Sequence, residues 1–185
     1  MAIKVANNQS LTAITALPSA VSGGAMNLLE TQTASSSSTL SFTSNIDSTY
    51  KEYVFKFYDI HTNADQVDLT FNGSIDTGSN YNVTKTTTFF ESFHNEGDSS
   101  AEVGYLAGAD LAQSTAFQPL ASGLGNANDE SLAGTLHLFN PSDTTFVKNF
   151  ISIINQSYRI GLPGSINQFV AGYFNTISAI DAVQF

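Results

Sequence analysis

The chain has 185 residues, 6 of them Lys or Arg and 16 Asp or Glu, so 12% of positions carry charge where an ordinary soluble domain carries about 25%. A net charge of -10 and a pI near 4.3 argue against nucleic acid and anionic lipid as partners, because both select clusters of basic residues. The absence of cysteine excludes disulfides, thiolate metal sites and a cysteine nucleophile. Fourteen Phe and seven Tyr give a chain of this length enough apolar surface for one folded domain.

Residues 1–24 are nearly uncharged and contain Pro18 and the pair Gly23-Gly24, which reads as an N-terminal arm preceding a single domain over 25–185. A short helix over 11–17 is compatible with the arm, and Pro18 would stop it. Its polar opening residues offer no continuous apolar run of the export-signal kind. No stretch approaches the roughly 20 apolar residues of a membrane-spanning helix.

From Met26 onward the signal is alternation. Leu40 and Phe42 follow the serine run 35–38, predicting a loop that feeds a strand. Residues 50–60 place Tyr53, Phe55 and Phe57 on one face and Val54, Tyr58 and Ile60 on the other, the pattern of a strand central in its sheet. Residues 66–72 set Val67, Leu69 and Phe71 against Asp68, Thr70 and Asn72, a half-buried strand. Turn formers over 73–79 lead to the Thr-rich run 83–93, predicting a hairpin. Further strands are predicted over 101–106, 132–139, 146–154, 169–174 and 180–185, with turns at 140–143 and at Pro163-Gly164. Residues 118–131, rich in Gly and Asn, read as the longest loop. Many short strands without a strong helix predict an all-β, antiparallel two-sheet sandwich of jelly-roll or lectin-like type.

The chemistry offered is sparse. His61, His94 and His137 show neither metal-ligand nor nucleophile spacing and read as surface or strand residues. Asp76-Thr77-Gly78-Ser79 matches the loop of an aspartic protease, but that chemistry needs two carboxylates sharing a proton, and a second copy is absent. Asp76, Gly78 and Asn80 alternate as in a calcium loop without its remaining acidic ligands. Asn95 to Asp98 and Asn126 to Glu130 are further acidic loops, best read as solvated. The Asn-x-Ser/Thr triplets at Asn8, Asn72, Asn82 and Asn155 arise readily in such a composition. No catalytic residue, cofactor or metal is expected.

The run 25–60, including Thr31 to Thr43 and Ile46 to Phe57, resembles small virion structural proteins and tail-associated modules of tailed bacteriophages, notably marine ones. The segments 4–18, 136–142, 145–148 and 178–185 look like the same group. The resemblance implies a β-sandwich assembled on a phage particle. It also implies that residues 76–81 are a structural turn, and that a glycine-containing turn and another strand follow Phe185, where the pattern stops in mid-strand. No binding residues carry over from it.

The expected function is therefore that of a non-enzymatic virion component, a capsid decoration or tail protein acting through contacts with other virion proteins and with copies of itself. Neutral hydrogen-bonding side chains suit such contacts, because they avoid the desolvation cost of buried charge. The alternative is a receptor- or glycan-binding module in which Tyr81, Tyr105 or Tyr158 stacks on sugar while loop residues such as Asp76 and Asn80 bond hydroxyls. An enzyme using a Glu/Asp pair stands third, with no pair identifiable from the sequence.

Overall fold

The computed structural model describes residues 26–159 and 161–185. The chain divides into two units, Met1–Thr33 and Ala34–Phe185. The expected arm and its 11–17 helix lie outside the described residues. In the first unit, residues 26–33 have no regular secondary structure, and Gln32 donates to Glu30 at 2.6 Å.

The second unit is all β. Strands β1 (Ser41–Phe42), β10 (Ala182–Gln184), β3 (Val67–Ser74) and β6 (Gln118–Leu124) form, in that order, a four-stranded sheet. A six-stranded sheet runs β2 (Glu52–Ile60), β7 (Leu132–Phe139), β8 (Lys148–Arg159), β9 (Leu162–Phe174), β4 (Lys85–Asn95) and β5 (Ala101–Tyr105). Every pairing is antiparallel. The two-sheet β-sandwich read from the alternation is the architecture observed.

The core lies between the sheets. Phe71 of β3 meets Phe150 of β8 at 4.8 Å and Phe174 of β9 at 5.7 Å between ring centroids, both edge-on. These edge-to-face contacts use the ring quadrupole and tie one sheet to the other. Phe185, just beyond β10, adds Phe55, Phe57 and Phe42 at 5.1 to 6.0 Å. Its backbone pairs with Leu40 in both directions, and β10 lies inside its sheet between β1 and β3. Gly73 is required by this packing, since a Cβ there would stand 2.9 Å from the Phe174 ring and 3.1 Å from Ile180.

Four expectations are corrected. β2 is an edge strand, not a central one. Its inward aromatics Tyr53 and Phe57 are buried, while outward Tyr58 is 70% exposed, so apolar residues on both faces did not mean neighbours on both sides. Residues 66–93 are not a hairpin, because β3 and β4 belong to different sheets. The turn-rich link crosses the sandwich, and β4 finds β5 and β9 instead. Residues 118–124 are strand β6, with Leu120, Ala121 and Leu124 buried; Pro119 and Gly123 disguise the pattern, and the loop is only 125–131. Pro163 and Gly164 lie within β9, while left-handed Gly161 (φ +82°) sits in the turn before it.

Candidate functional site

The link between the sheets carries Asp76, Asn80 and Tyr81. The Asp76 carboxylate accepts Ser74 Oγ at 2.7 Å, the Asn80 amide N–H at 2.9 Å and Asn80 Nδ2 at 2.7 Å. Ser74 Oγ in turn accepts the backbone N–H groups of Asp76 and Gly78. Hydrogen bonds from Asn80 and then Ser74 hold the Asp76 carboxyl below its usual range. Thr77 and Gly78 take left-handed conformations at φ +59° and +80°, and the Thr77 N–H bonds Asp181 at 3.0 Å. Both Asp76 oxygens thus accept donors of their own loop, the chemistry of a locked turn. The Tyr81 ring lies under this turn, and buried Asn72 ties it down by donating to Tyr81 O and Thr115 O.

The other two tyrosines lie elsewhere. Tyr105 ends β5, 55% exposed, and donates to Asp110, a bond that raises its phenol pKa. Tyr158, near the end of β8, lines a shallow depression with Leu124, Gly125, Glu130, Ser131 and Gln156. Buried Gln156 donates to Ser122 O and leaves its Oε1 without a protein partner. The fold therefore distributes the candidates over three places. The histidines bind locally: His61 to Glu130 O, His94 to Asp98 and His137 to Glu52. Among the described residues no three His, Asp or Glu side chains gather as a metal site would require.

Sequence patterning did not single out the outward face of the six-stranded sheet. One register row crosses all six strands: Tyr105, Phe90, Phe169, Ile153, Thr135 and Lys56. Phe90 and Ile153 are 43% and 48% exposed, and Ile151 in the next row is 46% exposed. The Phe90 and Phe169 rings stack at 4.8 Å, 8° from parallel. Around them stand Thr88, Ser92, Asn155, Asn167 and Ala171, so the centre of the face is apolar and neutral, with charge only towards its rim. Ile153 and Phe169 meet across the β8–β9 hairpin, but only the pairing of β9 with β4, far apart in sequence, brings Phe90 to them.

Among the described residues two basic side chains, Lys85 and Lys148, are buried. Lys85 Nζ donates to Val83 O at 3.1 Å and Ala116 O at 2.6 Å, and stands 5.8 Å from the Phe174 ring centroid. Burial pushes its pKa down to about 8. Lys148 Nζ donates to Phe146 O and Thr176 O at 3.0 and 3.1 Å. Burial lowers its pKa too, partly offset by Asp143. Each ammonium clamps loop carbonyls at one end of the sandwich.

The chain matches no family model, no curated protein and no solved structure.

Proposed function

We propose that this protein is a structural component of a virus particle, on the exterior of a phage capsid or tail, working through subunit contacts rather than catalysis. The observation that carries the reading is the neutral apolar face of β8, β9, β4 and β5. Strand spacing and rise give it about 20 Å by 30 Å. That footprint of about 600 Å² approaches the roughly 800 Å² per partner of a stable protein interface. The face mixes exposed Phe90, Ile151, Ile153 and Val103 with neutral Ser, Thr and Asn, and exposed apolar clusters set among polar residues mark interaction sites. The resemblance of residues 25–60 to phage virion proteins supplies the setting. The test is a double substitution, Phe90→Asp with Ile153→Asp, scored for incorporation into particles. Incorporation of the variant, shown to be folded by circular dichroism, should fall at least about tenfold, roughly 1.4 kcal/mol of contact energy; full incorporation would contradict the reading.

A receptor- or glycan-binding module is the second reading, favoured by the parallel Phe90–Phe169 pair lying open on that face beside the amides of Asn155 and Asn167. Reproducible glycan-array hits lost on Phe90→Ala would favour it. Blank arrays with binding to particles would favour the structural role.

A further inference from the structure

We infer that β5 pairs with β5 of a second copy of this chain, antiparallel about a two-fold axis at Val103, joining two six-stranded sheets into one. This rests on the subunit-contact reading above and names the partner at one edge of the same sheet.

An open strand edge is a template for another strand, and folds usually blunt it with a bulge, a proline, charged side chains or shortness; on β5 the only such device is the single charge of Glu102. The other three edges are blunted. β1 has two residues. β2 carries Lys56, a register shift between Phe57 and Ile60, and a left-handed Asp59. β6 carries Pro119, left-handed Gly123 and two register shifts. β5 runs Ala-Glu-Val-Gly-Tyr in unbroken register with β4, and all five residues are exposed.

Which groups face the open edge follows from the ladder. The Leu106 N–H bonds Phe89 O, and the Asn95 N–H bonds Ser100 O. These mark the hydrogen-bonded pairs, so Glu102 and Gly104 direct their backbone groups at β4. Ala101, Val103 and Tyr105 direct theirs outward. A two-fold at Val103 then matches Ala101 with Tyr105 and Val103 with itself, giving about six backbone hydrogen bonds between copies.

Side chains agree with that register. Glu102, the one charge on β5, falls opposite Gly104 of the other copy rather than opposite another Glu102. Gly104 has no left-handed φ, and a Cβ built on it meets nothing within 4 Å, so the single chain gives no reason for glycine there. A strand glycine weakens its strand and often marks the close approach of another group. In the paired register that group is the Glu102 side chain crossing from the partner. On the outward face Val103, 76% exposed, meets its own symmetry mate, and the row through Phe90 and Tyr105 ends on Ala101 of the second copy.

The chain lacks cysteine, so Val103→Cys introduces a single thiol into the full-length protein. Mild oxidation should convert it to covalent dimer at least about tenfold faster than Ile177→Cys, a solvent-exposed loop control, because Cα atoms in such a pair stand about 5.5 Å apart. Ala101→Cys alone should cross-link poorly, while a mixture with Tyr105→Cys should cross-link well. Val103→Pro removes only an edge-facing N–H, which a single sheet tolerates. It should sediment as monomer with an unchanged circular dichroism spectrum where the parent sediments as dimer. A parent that stays monomeric, or Val103→Cys no faster than the control, would overturn the proposal, and the cross-linking result decides even where Val103→Pro fails to fold. A monomer still incorporated into particles would sink this pairing alone, whereas a dimer that never joins particles would sink the particle reading and leave the pairing standing.

Discussion

Lys85 and Lys148 flank Phe174 from opposite sides: both are its register partners, one on β4 and the other on β8. Two cations thus sit in one row beside an aromatic core residue, each held by backbone carbonyls. A buried ammonium costs stability even when hydrogen-bonded, because its hydration is lost. In exchange each fixes two loop segments, 83 with 116 and 146 with 176.

The Lys85 shift sets an alkaline signature. Below about pH 8 the native and unfolded chains both hold this proton, so its contribution is constant. Between about 8 and the ordinary 10.5 the unfolded chain binds more protons than the native one, and stability therefore rises with pH. Lys85→Met should flatten that rise by an amount on the order of 2 kcal/mol. Denaturant titrations of both proteins from pH 7.5 to 10 check it, the comparison cancelling the tyrosines. Equal slopes would show that Lys85 titrates as if solvated.

Asp76 predicts the opposite limb. Its carboxyl is held low by Asn80 and Ser74, so its contribution is present above the unfolded carboxylate pKa and disappears as pH falls through the lower native value. Asp143, held low by the N–H groups of Phe146 and Thr145, and Asp47, held low by Thr49, behave alike. Melting temperatures measured from pH 5 to 2 should fall less steeply in Asp76→Asn than in the parent. An identical acid slope would mean that the loop bonds survive protonation.

Aromatic truncations separate centre from edge. Phe71 is fully buried against Phe150 and Phe174, and Phe71→Ala should cost about 3 to 5 kcal/mol. Phe55, on edge strand β2 and only half-buried against Phe42 and Phe185, should cost about half as much. Chemical denaturation gives both values, and an equal or larger loss at Phe55 would contradict the edge placement of β2.

How far the fold was legible depended on how local each signal was. β5 and β7 fall where alternation put them, because a period of two is written in the residues themselves. Strand partners are not: the turn formers after Asn72 announce a reversal equally well for a hairpin and for a crossing between sheets. β6 stayed hidden because Pro119, Ser122 and Gly123 read as loop, whereas Leu120 and Leu124 are buried only once the other sheet covers them. The same holds for the site. The Asp76 turn was visible as turn chemistry, and Ile153 meets Phe169 across a local hairpin, but Phe90 joins them only through the long-range pairing of β4 with β9. No spacing rule would have joined them.

Electron microscopy of an intact particle that carries this protein, at a resolution that traces its strands, tests the assembly role most directly. The sandwich should lie on the particle exterior, with the face bearing Phe90, Phe169 and Ile153 covered by a neighbouring subunit. A particle map in which that face is open to solvent while the opposite sheet makes the contacts, or preparations from which the protein is absent, would contradict it.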